Sequence, residues 1–278
     1  MSTKKKSPVR EYRTIMNDSG NPGYVNRIMI ATPATGVLRV EWVQARYGQS
    51  VPVNWSQVQL LEFLDGHYPL RYQVADAQNI IVQQFIHRDF EWLLLWEHDV
   101  IPRPEALTML NRYMAEEKVP VVSGLYFTRS NPSEPLVFKE MGIGPFYDFK
   151  LGQKVWCKGV PTGFLLVHRA VMKSVWDESP EYLINKPSGQ VIRTRRVFES
   201  PREYWHDPES WNSNMMEGTS DLNWCTRVIE EGHFKKAGWD SFQRRKYPFL
   251  IDTKLLCGHI NLDGSIFPPD HDLVEYQK

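Results

Sequence analysis

Five apolar residues in a row, Trp92 to Trp96 (WLLLW), restrict this chain more than any other segment. An unbroken apolar run needs cover on both faces, as in a parallel strand inside a layered α/β domain. A strand with one wet face would alternate instead. Glu97, His98 and Asp99 follow at once, and then Pro102 and Pro104. Two carboxylates thus leave the strand one residue apart and point the same way, into the region where open α/β sheets collect their ligands. Glu97 and Asp99 read either as a solvated turn or as the seat of a hard cation. Mg²⁺ or Mn²⁺ takes one or two carboxylates and completes its shell with phosphate oxygens and water.

The neighbouring segments alternate as such a domain requires. Residues 27–32 (RIMIAT) form a β-branched run stopped by Pro33, and residues 37–47 follow as a helix. Residues 70–74 read as a second strand. Ala77, Ile81 and Phe85 recur every four residues, which predicts an amphipathic helix over 76–88. After WLLLW come a helix carrying Leu107, Leu110 and Met114, and a strand over 119–124. Gly163 opens another apolar strand (GFLLV), and a helix starts near Arg169. Residues 179–218 are long, polar and rich in turn formers, which suggests a lid or an insert. Thr219 or Ser220 caps a helix bearing Leu222, Cys225 and Val228, and Gly232 ends it. Residues 249–251 and 254–257 read as two short strands leading to Gly258 and His259.

Composition narrows the class. With 278 residues, 42% hydrophobic and 13% aromatic, the chain can bury one large core. Its 33 basic residues equal its 33 acidic ones, so no global charge favours nucleic acid or membrane. Cys157, Cys225 and Cys257 are odd in number and widely spaced, with no zinc pairing, which fits a reducing compartment. Lys4, Lys5 and Lys6 are not followed by the apolar stretch of a secretory signal, and no run is long enough to span a membrane. The expectation is a cytoplasmic protein with a flexible tail over 1–24, one domain over 25–262 divided at 129/130, and a C-terminal tail over 263–278.

The segment from Ala77-Gln78-Asn79 through FEWLLLWEHDVIP resembles the donor-site block of GT-A glycosyltransferases, in which an A-R-N-like helix start precedes an apolar strand ending in Asp-x-Asp and a proline. VVSGLYFTR (121–129), PTGFLLVHR (161–169), TSDLNWC (219–225) and DTKLLCGH (252–259) follow in the order of the family 2-like members. Gln78 stands where the family has Arg, Glu97 replaces the first Asp, and Ser220 replaces the Glu of T-E-D. The resemblance covers residues 27–261. It implies a mostly parallel central sheet flanked by helices, with a smaller antiparallel part.

It also implies an activity: metal-dependent transfer of a sugar from a UDP- or GDP-linked donor, with inversion. By the same resemblance Asp221 deprotonates the acceptor, and Glu97, Asp99 and His259 hold Mn²⁺ or Mg²⁺. Thr32, Pro33, Gln78, Asn79, Glu97 and Gly163 meet the donor. The bland readings stay beside these: a helix-start acid for Asp221, a structural histidine for His259, turn chemistry for Thr32 and Pro33. His98, between the acids, should face away from them. Trp205, Trp211 and Trp224 offer flat faces to a sugar or base, or pack in the core. Arg193, Arg195 and Arg196, with Arg244, Arg245 and Lys246, form solvated surface or meet an anionic acceptor such as DNA; a saccharide acceptor is favoured. A non-catalytic carbohydrate- or nucleotide-binding relative and a nucleotidyltransferase are the alternatives.

Overall fold

The structure, a computed structural model, describes residues 28–88, 90–186, 189–206 and 213–277. The expected tail over 1–24 lies outside them. Strand β1 (Ile28–Ala31) is followed by α1 (Val40–Tyr47), α2 (Gln57–Asp65) and α3 (Val74–His87). Next come β2 (Trp92–Trp96), β3 (Val100–Pro102), α4 (Ala106–Glu116), β4 (Val121–Leu125) and β5 (Lys154–Cys157). β6 (Phe164–His168) and α5 (Arg169–Glu178) precede two hairpins, β7 (Glu181–Asn185) with β8 (Val191–Arg195) and β9 (Arg202–His206) with β10 (Ser213–Glu217). The chain closes with α6 (Ser220–Glu230), α7 (His233–Lys236), α8 (Asp240–Gln243), β11 (Phe249–Ile260), β12 (Ile266–Phe267) and α9 (Asp270–Gln277).

The central sheet runs β1-β2-β6-β4-β11-β12, with β3 and β5 also paired to β11. β1, β2, β4 and β11 point one way and β6 runs against them. The smaller antiparallel strands gather around β11. This mixed α/β architecture is the one expected from the sequence. Register explains how the apolar run is used: Ile30, Leu94, Leu166, Val122 and Leu250 are successive neighbours across the sheet. All five belong to one buried cluster, with Trp92 and Trp96. Leu93 and Leu95 belong to the cluster on the other face, with Val167, Val121 and Ile251. The two-residue period of the strand divides WLLLW between two cores.

Several elements differ from the sequence reading. Residues 70–74 make no strand: Leu70 forms one bridge to Ala34, Arg71 has φ 63°, and α3 begins at Val74. The left-handed backbone at Arg71 ends the extended run. The long polar stretch is not a structureless lid, since it carries the two hairpins. The two short strands near the C-terminus are one strand, β11, whose pairing with β4 shifts register between Asp252 and Leu256. There the Asp252 carboxylate accepts the Lys254 N–H at 3.0 Å and the Tyr113 hydroxyl at 2.6 Å, so a side chain interrupts the ladder without ending the strand. Helix α2 was missed although Ser56-x-x-Gln59 is a capping signature, and the Ser56 hydroxyl does accept the Gln59 N–H. The Gln59 amide then pairs with both backbone groups of Ile28, at 3.1 and 2.8 Å, and covers the open edge of β1.

Residues 263–277 contain β12 and α9 in place of a loose tail. Tyr276 is buried, stacked on Phe149 at 4.7 Å and edge-on to Phe127 at 5.6 Å. Tyr276→Ala is therefore expected to lower stability by about 3 kcal/mol, the scale of a large-to-small change in a core. Urea unfolding followed by tryptophan fluorescence measures it, and a loss within about 0.5 kcal/mol means a surface position instead.

Candidate functional site

The ends of β2, β4 and β11, the turn before β6 and the start of α6 meet at the carboxyl edge of the sheet. Glu97 leaves β2 with its backbone held on both sides: its N–H donates to the Gly163 carbonyl at 2.8 Å, and its carbonyl accepts the Trp42 indole N–H at 2.8 Å. A relay of buried polar groups reaches its side chain. The Ser220 hydroxyl donates to Gln78 Oε1 at 2.9 Å, Gln78 Nε2 donates to Thr162 Oγ1 at 3.0 Å, and Thr162 Oγ1 lies 3.4 Å from Glu97 Oε1. The relay ties the start of α6, where Asp221 sits, to the end of β2.

Asp99 and His259 form the second half. β11 brings His259 opposite Val100 in the register with β3, beside Asp99. His259 Nδ1 lies 2.7 Å from the Phe127 carbonyl, which can only accept, so Nδ1 donates to it and Nε2 is left to face Asp99. That Nε2 lies 3.6 Å from Asp99 Oδ2, which also accepts from Arg129 Nη1 at 2.8 Å. Asp99 Oδ1 is buried and has no hydrogen-bond partner among the described residues. A carboxylate with an unpaired oxygen beside an imidazole nitrogen suits a cation. Among the described residues the ligand atoms of Glu97, Asp99 and His259 do not all lie within 4.8 Å of one another, and the pair brought into contact here is Asp99 with His259.

Charge at the site is concentrated. Burial first, then Asp99 and Asp221, push the Glu97 carboxyl up to about 8. Burial also raises Asp221, against the Thr219 side chain and the backbone N–H groups of Leu222 and Thr162. For Asp99 burial acts upward too, but the hydrogen bond and charge of His259, with Arg129 and His98, hold it below the usual carboxylate range. Three carboxylates that feel one another in a desolvated pocket form a strong field for a divalent ion.

The other expected residues are placed as follows. Gly163 donates its N–H to the Tyr126 hydroxyl at 2.7 Å, and a Cβ there would strike that hydroxyl and Val100, so only glycine fits. Gln78 is fully buried with both ends of its amide bonded inside the protein. Asn79 is buried as well. Its Oδ1 accepts the N–H groups of Val197 and Phe198, and its Nδ2 donates to the Phe198 carbonyl and the Tyr182 hydroxyl. Thr32 and Pro33 are buried at the end of β1, and Thr32 Oγ1 has no partner among the described residues. His98 faces away from the acids, as expected. Its Nδ1 donates to the Pro33 carbonyl at 3.1 Å and its Nε2 meets Thr35 Oγ1 at 3.4 Å.

Trp224 is fully buried and stacked on Phe198, so it packs in the core. Trp211 and the side chain of Trp205 lie outside the described residues. The basic groups are engaged locally: Arg193 and Arg195 with Glu181, Arg196 with Glu199, Arg245 over the rings of Trp156 and Phe242, and Lys246 with Glu140. A cavity of about 520 Å³ opens beside the first turn of α3, lined by Asp76, Tyr182, Arg196 and Glu199 among others. Sequence reasoning passed over Arg129, Tyr126 and Thr162 as site members. Each lies inside a quoted motif, but only the fold brings them to Asp99, His259 and Glu97.

No family model and no curated protein matches the chain. Among solved structures, that of A197 from STIV is similar with a TM-score of 0.50 and 14% identity, over 88% of this chain and 91% of that one. This likeness concerns the fold alone. S. aureus TarS 1-349 in complex with UDP is similar at TM-score 0.35 and 11% identity, over 55% of this chain and 50% of that one. A glycosyltransferase involved in the glycosylation of the major capsid of PBCV-1 gives TM-score 0.25 and 16% identity, over 54% of this chain and 65% of that one. At those two scores the likeness decides nothing about this chain.

The raised Glu97 carboxyl makes stability depend on pH. Between its ordinary value of 4.5 and about 8 the folded protein keeps a proton that the unfolded chain has lost, so metal-free stability falls as pH rises through that window. The steepest slope from this group is about 1.4 kcal/mol per pH unit. Glu97→Gln should flatten the curve between pH 5 and 8 in urea unfolding with chelator present. A variant that keeps the wild-type slope assigns the effect to another group.

Proposed function

We propose that this protein is a metal-dependent glycosyltransferase that moves a sugar from a UDP- or GDP-linked donor to an acceptor hydroxyl with inversion. What supports the reading is that Asp99, with an unpaired Oδ1, lies beside His259, and that Asp221 stands at the helix start which Ser220, Gln78 and Thr162 link to Glu97. In an inverting transfer the leaving diphosphate and the acceptor stand on opposite sides of the anomeric carbon, so the site needs two such poles. Fold likeness alone does not fix chemistry, and the residues are what support this reading.

Asp99 through Oδ1, His259 through Nε2 and Glu97 would hold Mn²⁺ or Mg²⁺, which when bound neutralises charge developing on the diphosphate. The Asp221 carboxylate, whose Oδ1 accepts the Leu222 N–H at 2.8 Å, takes the acceptor proton in this reading. The acceptor oxygen attacks the anomeric carbon as the bond to the diphosphate oxygen breaks, and the proton ends on Asp221. Burial raises the proton affinity of Asp221 and so suits it to the role of base. Gln78 and Asn79, whose amides are bonded inside the protein, act as positioning residues. Thr32 and Pro33 frame the end of β1 where the base of the nucleotide lies in this reading. A saccharide is the acceptor in this reading; Arg193, Arg195 and Arg196 each have a carboxylate neighbour in Glu181 or Glu199.

Donor hydrolysis screened across UDP- and GDP-sugars with Mn²⁺ identifies the substrate. Asp99→Ala should abolish turnover, and chelator should do the same to wild type until Mn²⁺ or Mg²⁺ is restored; full activity in chelator ends the metal-dependent reading. Asp221→Asn keeps the shape and the Leu222 contact but removes the base. Its kcat should fall by about 10²-fold or more with donor affinity by calorimetry nearly unchanged. Transfer near the wild-type rate by a variant that binds donor normally removes Asp221 as the base.

A further inference from the structure

Tyr126 directly follows β4 and is buried, yet its hydroxyl lies where the groups of the site meet. The oxygen accepts the Gly163 N–H at 2.7 Å. The ring meets His259 edge-on, with centroids 5.3 Å apart. A phenol that accepts one hydrogen bond still has its own proton to give, and no described residue takes it. Gly163 packs directly against this hydroxyl, where a Cβ would collide with it.

We propose that Tyr126 touches substrate directly, donating its O–H to a hydroxyl of the donor's sugar in the space bounded by Glu97, Asp99 and Asp221. This rests on the nucleotide-sugar reading of the site. A sugar hydroxyl suits the place because it can accept from Tyr126 and at the same time donate to one of the surrounding carboxylates. A phosphate oxygen has no proton to give to them. Tyr126 thus selects for the sugar, and Asp99 with its neighbours serves the diphosphate.

The test compares Tyr126→Phe with wild type by calorimetry in Mn²⁺, using the pairs UDP with UDP-glucose and GDP with GDP-mannose. For whichever pair the wild type binds, the variant should hold the bare diphosphate within about twofold, which also shows that it is folded, and bind the sugar nucleotide roughly tenfold more weakly, the scale of one hydrogen bond. Equal losses for both ligands make Tyr126 a structural support and overturn the proposal, as does no loss for either. The unmodified protein supplies a second reading that does not depend on the variant. Among donors lacking one sugar hydroxyl at a time, one should bind severalfold more weakly than the parent, and Tyr126→Phe should not weaken that one further. If every deoxy donor binds wild type like its parent, no hydroxyl is engaged and the proposal falls. If wild type binds neither pair, the nucleotide-sugar reading itself fails, an outcome distinct from the loss of Tyr126 alone.

Discussion

Strand β2 has no face left for water. Trp92, Leu94 and Trp96 enter one core and Leu93 and Leu95 the other, and every residue of the strand is fully buried. β1 flanks it on one side in parallel and β6 on the other in reverse. Burial of that apolar surface, worth about 25 cal/mol per Å², sets where the strand lies and therefore where it stops. The first polar residue after it, Glu97, is delivered to the carboxyl edge of the sheet, and the remaining groups are brought to meet it there.

How they are brought differs from one group to the next. Asp99 arrives with Glu97 by sequence alone. His259 arrives because β11 runs on past its pairing with β4 and enters an antiparallel pairing with β3. Asp221 arrives through polar contacts: Ser220, Gln78 and Thr162 form a buried relay in which each amide or hydroxyl answers another. Such a relay is costly to leave half made, since an unpaired buried donor loses its water without replacement. It therefore sets the start of α6 against the end of β2 within narrow limits.

The electrostatic consequence follows from the same burial. Burial raises Glu97 and Asp221, Asp99 and Asp221 raise Glu97 further, and His259, Arg129 and His98 hold Asp99 below the usual carboxylate range. A group that stays charged beside groups inclined to neutrality separates the roles: Asp99 as the anion that attracts a cation, Asp221 as the acid–base group.

Local chemistry made part of this legible in the sequence. Unbroken hydrophobicity in WLLLW identified a doubly covered strand, the four-residue recurrence of Ala77, Ile81 and Phe85 identified α3, and Glu97 with Asp99 marked the edge where ligands collect. These signals lie within one element, where side-chain period follows directly from backbone geometry. Pairing was not legible: that β6 enters between β2 and β4 in reverse, that β11 is one strand bent at Asp252, or that residues 263–277 close back on Phe149. The amides of Gln78 and Asn79 look like donor contacts in sequence, and only the packed structure shows their hydrogen bonds going to Thr162, Ser220, Val197 and Phe198. Arg129, Thr162 and Tyr126 have no pattern of their own, because what they do depends on residues 30 to 133 positions away. The sequence by itself determined the central strand and the acids at its end. Tertiary structure decided which distant groups face those acids, because hydrogen bonds and charge interactions depend on distance in space and carry no period along the chain.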